Sequence, residues 1–208
     1  YSSFRYGTLT PVVRDLIGGP EQELTRWGGP QQWLRDGTTL ALQMGRDGHS
    51  QWIFEPGLKK EPRPMPSVGP RDLSLSFSPD DKWVAVVSSD SGRNEIVVYG
   101  YPESGAPVQV SPDGGAEPVW RPDGRALFYR LGVDMMMSEV LPGQPIRFGP
   151  PRRLFSGPNF AGAGNRANFD VTPDGLRFLM VLLDQPRPAV RLTATLNWFA
   201  SISGAMRR

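Results

Sequence analysis

The chemistry open to this chain is limited by its single histidine, His49, which lies in Asp47-Gly48-His49-Ser50. A Ser-His-Asp site needs a histidine beside a serine held on a sharp turn, and Gly48-His49-Ser50-Gln51-Trp52 lacks the second glycine of that motif. Because His49 falls between two predicted strands, we interpret it as a turn residue. We expect no catalytic residue, and no serine hydrolase activity, in this chain.

Metal and cofactor sites are not predicted either. The chain has no cysteine, and its acidic residues fall mostly in turns, so no clustered ligand spacing occurs. The stretch Gly162–Ala167 superficially matches a dinucleotide-binding fingerprint, but a predicted strand follows it where that motif requires a helix. None of the sequence motifs of a protein kinase is present. We therefore expect no metal and no cofactor.

Two other groups of residues could form contacts. The run Met135-Met136-Met137 could provide an adaptable contact surface, but we interpret it as part of a hairpin that enters a strand. Four aspartates recur in similar surroundings, and we interpret them as structural turn residues rather than as catalytic groups.

These aspartates belong to a repeated turn with a strand on each side. It reads Ser78-Pro79-Asp80-Asp81 and returns as Arg121-Pro122-Asp123-Gly124, as Thr172-Pro173-Asp174-Gly175 and, without the proline, as Leu34-Arg35-Asp36-Gly37. Proline presets φ and the aspartate can accept nearby backbone N–H bonds, which predicts a type I turn. The predicted structural turn residues are Asp36, Gly37, Pro79, Asp80, Pro122, Asp123, Gly124, Pro173, Asp174 and Gly175.

Aligning the copies on their aspartates shows that the flanking sequence repeats with them. An apolar residue lies three positions before each aspartate: Trp33, Phe77, Trp120 and Val171. An apolar triplet follows each aspartate by four to six positions, and the aspartates are 44, 43 and 51 residues apart. One four-stranded propeller blade has about 40–50 residues. The sequence therefore predicts an all-β propeller of four-stranded antiparallel blades, with about four blades present.

The predicted propeller covers residues 1–199, with residues 200–208 as a C-terminal tail. Residues 1–26 contain only outer strands, at Pro11–Ile17 and Glu21–Thr25. The blades that follow span 27–66, 70–111, 115–156 and 165–199. A third strand of the last blade is expected at Val190–Leu196, and Asn197 could cap a short helix. The spacing of 51 residues before the last turn reflects a glycine-rich loop over 156–168.

Composition and charge exclude several classes of function. Only Lys59, Lys60 and Lys82 are lysines among the 23 basic residues, and the arginines are scattered, so no basic stripe suggests nucleic-acid binding. No apolar run of about 18 residues occurs, so no membrane span is expected in this chain. The first residue is Tyr1 and no signal-like region precedes the first repeat, which we interpret as a piece of a longer protein.

Ring closure is left open by the sequence. If Glu21–Thr25 paired with Val190–Leu196, the chain would form a compact four-bladed ring. If it did not, the chain would be an open arc, and exposed blade faces would favour self-association. We expect the open arc.

The repeated turn with a preceding aromatic residue resembles the WD-like repeat of TolB-type six-bladed propellers. The C-terminal part is similar to propellers of bacterial membrane-anchored serine/threonine kinases, through Arg153-Leu154-Phe155-Ser156-Gly157, Asn168–Met180 and Leu196-Asn197-Trp198-Phe199. In that family a kinase domain and a transmembrane helix precede the propeller. The likeness covers residues from about 11 to 199, but Ala200-Ser201-Ile202 departs from the acidic helix often found there.

This resemblance implies a non-catalytic binding or sensor module in the extracytoplasmic C-terminal part of a receptor kinase. Its partner would be a protein or a small ligand at a propeller face, and its location periplasmic or otherwise extracytoplasmic. Two alternatives remain open: the propeller domain of a prolyl-oligopeptidase-type serine peptidase, and a TolB-like periplasmic envelope protein.

Overall fold

The computed structural model describes residues 2–5, 8–14, 18, 20–23, 29–44, 50–55, 61–65, 68–69, 72–103, 105–157 and 166–183. Within these ranges the chain forms eighteen β-strands and no helix. They group into five antiparallel sheets, each made of strands that are consecutive in sequence. This arrangement confirms the predicted all-β class.

The strands follow one another in simple order within most sheets. The N-terminal sheet contains β1 (Ser2–Arg5), β2 (Thr8–Val13) and β3 (Gln22–Glu23). The first blade contains β4 (Gly29–Trp33), β5 (Leu40–Met44), β6 (Ser50–Phe54) and β7 (Arg63–Pro64). The second blade contains β8 (Leu73–Phe77), β9 (Trp83–Ser88), β10 (Glu95–Gly100) and β11 (Val108–Gln109).

The third blade has five strands rather than four. It contains β12 (Ala116–Trp120), β13 (Ala126–Leu131), β14 (Asp134–Leu141), β15 (Arg147–Phe148) and β16 (Arg152–Ser156). The sequence predicted one outer strand, at Arg152–Phe155. The eight-residue β14 is long enough to pair with β16 through Asp134–Met137 and with β15 through Val140 and Leu141.

The two ends of the chain are described in part. The fourth blade contains β17 (Phe169–Val171) and β18 (Phe178–Met180). At the N-terminus, β1 precedes the two strands that the sequence predicted and pairs with β2, which overlaps the predicted Pro11–Ile17. The next strand, β3, lies within the predicted Glu21–Thr25 and pairs with β2. The predicted strand at Val190–Leu196, the cap at Asn197 and a pairing between residues 21–25 and 190–196 lie outside the described residues.

The apolar core lies between consecutive sheets. In β9, Val84 and Val86 pack toward the first blade, whereas Ala85 and Val87 pack toward the third. All four side chains are buried, and fully burying one valine contributes roughly 1.5–3 kcal/mol. Because both faces of this sheet are covered, β9 reads as a continuous apolar run. Sheets stacked face to face in this way form the blades of a propeller.

Neighbouring inner strands are joined by side-chain hydrogen bonds to the backbone. The Phe77 N–H donates to Gln32 Oε1 over 3.0 Å, and the Trp120 indole N–H donates to the carbonyl of Ser76 over 3.0 Å. The Asn168 N–H donates to Glu117 Oε2 over 3.3 Å. These bonds link the first blade to the second, the second to the third, and the third to the fourth.

Candidate binding cleft at the turn face

The four repeated turns share one local geometry. Each aspartate accepts a hydrogen bond on Oδ1 from the backbone N–H two residues later. The donors are Thr38 at 2.7 Å from Asp36, Lys82 at 3.3 Å from Asp80, Arg125 at 3.0 Å from Asp123, and Leu176 at 3.0 Å from Asp174. Such bonds close an Asx turn within a few residues of chain. The arrangement gives the aspartates a local role in the turns, but their contribution to stability stays a prediction.

The residue after each aspartate has a positive φ. The angles are 69° at Gly37, 57° at Asp81, 73° at Gly124 and 71° at Gly175. Glycine adopts this left-handed conformation without the cost of about 1–2 kcal/mol that a Cβ imposes. Asp81 is the exception, and its carboxylate accepts the Arg35 N–H of the first blade over 2.6 Å. The other three turns have glycine at this position, so the aspartate at position 81 was the signal in the sequence for this contact. Sequence reasoning missed that signal.

Turns of neighbouring blades lie next to one another, so together they form one side of the molecule, which we call the turn face. Arg35 Nη1 lies 3.5 Å from the Pro79 carbonyl. A Cβ on Gly124 would lie 3.7 Å from Pro79 Cδ, and one on Gly175 would lie 2.7 Å from Arg121 Nε. The turns are thus in contact from the first blade to the fourth.

The charges of these turns depend on their surroundings. The Thr39 hydroxyl donates to Asp36 and lowers the pKa of that carboxyl, and the Thr172 hydroxyl lowers the pKa of Asp174 in the same way. Burial raises the pKa of Asp81, although the Arg35 N–H acts in the opposite direction. Asp36 and Asp174 are therefore carboxylates at neutral pH.

A cleft of about 370 Å³ opens on the turn face between the second and third blades. One side is formed by Ser78, Pro79 and Asp80 from the second-blade turn, and the other by Pro122, Asp123 and Gly124 from the third-blade turn. Its volume is in the range of small-molecule sites, about 300–1,000 Å³. The cleft therefore has room for a small ligand or for a side chain of a partner protein.

The remaining lining combines an apolar part with exposed polar groups. The apolar part consists of Trp83, Trp120, Val140 and Ile146. Trp120 and Ile146 are each 5% exposed, and Trp83 is half-buried. Arg35 of the first blade and Gln144, in the loop between β14 and β15, contribute the exposed polar groups.

A second hollow is less suited to recognition. It has a volume of about 550 Å³ and is lined only by third-blade residues: Arg121, Gly124, Arg125, Glu139, Val140, Leu141 and Pro142. The 370 Å³ cleft takes its lining from three blades, so the stacking of these blades creates it. We therefore regard the cleft as the candidate site.

The cleft contains five of the residues predicted from the turn repeat and omits the others. The five are Pro79, Asp80, Pro122, Asp123 and Gly124. The lining does not include the other predicted turn residues, which are Asp36, Gly37, Pro173, Asp174 and Gly175. Sequence reasoning missed Arg35, Trp83 and Gln144. The repeat hid Arg35, because it occupies the position where the other copies have proline.

Among the other sequence candidates, none that the structure describes lines the cleft. His49 lies outside the described residues, as do residues 162–165 of the glycine-rich stretch. Met135 and Met137 are buried in β14 and pack with Phe169 of the fourth blade. Among the described residues, no group of three or more histidine or acidic side chains is placed to hold a metal. In the same ranges nothing forms a helix with the length and apolarity that a bilayer crossing requires.

One buried ion pair lies within the third blade, and its carboxylate also accepts a hydrogen bond from the fourth. Glu117, whose side chain is 0% exposed, lies 3.7 Å from Arg130. Burial raises the pKa of Glu117 more than Arg130 and the Asn168 N–H lower it. Glu117 has a φ of 57° at a break in the pairing of β12 with β13, which turns its carboxylate toward the neighbouring blade.

The architecture defined by these sheets is a β-propeller, and solved structures resemble it. TolB from Acinetobacter baumannii superposes with a TM-score of 0.56 at 16% identity, covering 75% of this chain and 40% of that one. A putative TolB from Agrobacterium tumefaciens gives 0.64 at 17% identity, covering 88% and 70%. A puromycin-hydrolyzing peptidase from Mycobacterium tuberculosis gives 0.52 at 22% identity, covering 73% and 28%.

These similarities establish the fold: the chain is a TolB-like β-propeller. The chain spans less than half of the Acinetobacter TolB and less than a third of the peptidase. No family model matches the sequence. No curated protein matches it either.

Proposed function

We propose that this chain is a non-catalytic binding module that takes a protein partner or a small ligand in the cleft on its turn face. One observation carries the proposal: the cleft combines side chains from three blades, including two tryptophans and charged groups of both signs. Small-molecule and partner sites typically have such a mixed lining. The Ser78 hydroxyl in this cleft donates to Asp80 and accepts the Trp83 N–H, so its hydrogen bonds serve the turn, which favours recognition rather than turnover.

The larger protein that carries the module is proposed from the resemblance in Arg153–Gly157 and Asn168–Met180. We propose an extracytoplasmic sensor part of a bacterial receptor serine/threonine kinase. Binding in the cleft would then report the presence of a ligand outside the cytoplasm to a kinase domain on the other side of the membrane.

Two other parents have support from individual structures. Similarity to the peptidase favours a propeller that accompanies a hydrolase domain. Similarity to two TolB structures favours a free TolB-like periplasmic protein that works through protein contacts. The reading frame of the whole protein distinguishes the three. A kinase domain and a membrane span upstream would indicate the receptor kinase, a hydrolase domain would indicate the peptidase, and a signal peptide alone would indicate the periplasmic protein.

A biochemical test addresses the non-catalytic assignment directly. The purified chain is incubated with an ester substrate, a fluorogenic peptide and ATP, while product formation and nucleotide binding are measured. No turnover and no ATP binding are expected. Turnover that survives repurification and is abolished by a substitution in the chain would overturn the assignment.

A further inference from the structure

We propose that the cleft between the second and third blades recognises a neutral, polyhydroxylated ring, namely one or two sugar units. This inference rests on the proposed function, because it names the ligand class for the same site. It is argued from the hydrogen-bonding groups that face the cleft and from their charges.

The cleft contains a hydrogen-bond acceptor, Asp80, whose carboxylate can accept more hydrogen bonds than it does. Asp80 Oδ1 accepts the Ser78 hydroxyl over 2.6 Å and the Lys82 N–H over 3.3 Å. Its Oδ2 has no hydrogen bond from a described residue, and its side chain is exposed. Asp80 can therefore accept a ligand hydroxyl without giving up its role in the turn.

Donors lie in the same lining. The Arg35 guanidinium makes one long hydrogen bond, to the Pro79 carbonyl at 3.5 Å, so most of its N–H groups are available. The Gln144 amide has no hydrogen-bond partner among the described residues, and it supplies both a donor and an acceptor. A sugar hydroxyl also donates and accepts, so it can bond to all three side chains.

The charges argue against ligands with a net charge. An anion attracted by Arg35 would lie near the carboxylates of Asp80 and Asp123, and a cation attracted by the carboxylates would meet Arg35. Like charges close to a ligand are unfavourable and help to exclude it. A neutral ligand avoids both penalties and can still bond to each charged group.

The apolar lining provides a surface on which a sugar ring can stack. Trp83 is half-buried in the cleft, so part of its indole remains open for contact with the C–H face of a pyranose ring. Trp120 is 5% exposed and its indole N–H is already bonded to Ser76. Trp120 therefore supports the cleft, and Trp83 is the ring on which a sugar would stack.

The test uses the full chain with glucose, N-acetylglucosamine and its disaccharide chitobiose as probes. Binding of each probe is measured by saturation-transfer NMR and by calorimetry. An acetylated arginine tripeptide and inorganic phosphate are the charged comparison probes. For a ligand of this size we expect a sugar dissociation constant on the order of 1 mM. We expect the charged probes to bind more weakly.

Matched variants locate the site. Arg35→Ala and Gln144→Ala are each expected to weaken sugar binding about threefold to tenfold, the loss of one hydrogen bond. Arg35→Ala leaves the backbone N–H bond to Asp81 in place. Arg177→Ala removes an exposed arginine from the fourth-blade turn, outside the cleft, and should leave binding unchanged. Melting temperatures of all three variants verify that they are folded.

Each other outcome overturns the inference in a distinguishable way. Absence of sugar binding up to about 50 mM, far above the expected constant, would refute the sugar ligand. If phosphate bound instead and Arg35→Ala weakened it, or if the cationic tripeptide bound instead and Arg35→Ala strengthened it, the ligand class would be wrong while the cleft remained a binding site. Sugar binding that no cleft variant weakened would place the site elsewhere.

Discussion

Replacing Asp123 with alanine tests the structural role assigned to the repeated turn. Asp123 Oδ1 accepts the Arg125 N–H over 3.0 Å, and Oδ2 lies 3.3 Å from Arg121 Nε. Alanine removes both contacts but keeps Gly124 at its positive φ. The substitution therefore isolates the aspartate from the backbone conformation of the turn.

The size of the effect follows from the exposure of these groups. Water can reach the Arg125 N–H after the substitution, so the lost hydrogen bond costs about 1 kcal/mol rather than a full desolvation penalty. The side chains of Arg121 and Asp123 are 34% and 39% exposed, so their ion pair adds only a few tenths of a kcal/mol. A total of about 1 kcal/mol lowers the melting temperature by about 2–4 °C in a chain of this length.

The assay is urea unfolding followed by tryptophan fluorescence, together with thermal unfolding by circular dichroism. Asp123→Asn retains an oxygen acceptor at the Oδ1 position and should keep most of the stability. Asp113→Ala is the matched control, because Asp113 is exposed and its carboxylate makes no hydrogen bond to a described residue. The urea and thermal unfolding midpoints of Asp113→Ala should stay at the wild-type values.

Two results would refute this reasoning. If Asp123→Ala unfolded at the wild-type urea concentration, the turn hydrogen bond would contribute nothing measurable. If stability held while sugar binding disappeared, Asp123 would be a ligand-binding residue and its structural interpretation would be wrong.

Three other predictions extend these arguments. Asp36→Ala should cost more than Asp123→Ala, about 2 kcal/mol by urea unfolding, because Asp36 also accepts the Thr39 N–H and hydroxyl; an equal or smaller loss would contradict the hydrogen-bond count. Burial raises the folded-state pKa of Glu117 above its ordinary 4.5, so its contribution to stability is most favourable below that pH and declines as pH rises through the folded-state pKa. Glu117→Gln should therefore flatten the stability profile on the alkaline side of pH 4.5, and an unchanged slope would show that this carboxyl does not titrate there. His49→Ala should leave the melting temperature and all binding unchanged, and a metal-dependent shift in the wild type that the variant lacks would overturn its interpretation as a turn residue.

The sequence by itself determined the turns, the strands beside them and the fold class. A bond from Asp174 to the N–H of Leu176 spans only two residues, so it leaves a recognisable local pattern. The continuous apolar run in β9 indicates a sheet covered on both faces for an equally local reason. Because the turn repeats about once per blade, these short-range signals were enough to predict a propeller.

Only the tertiary structure decided which of these residues form a site. The Arg35 N–H meets the Asp81 carboxylate across 46 residues of chain, and Glu117 meets Asn168 across 51. No local pattern specifies such pairs, since they depend on how adjacent sheets pack and where β12 breaks its register. The cleft likewise brings Trp83 and Gln144 together only after two blades have stacked, because its walls belong to different blades and its volume is set by their separation.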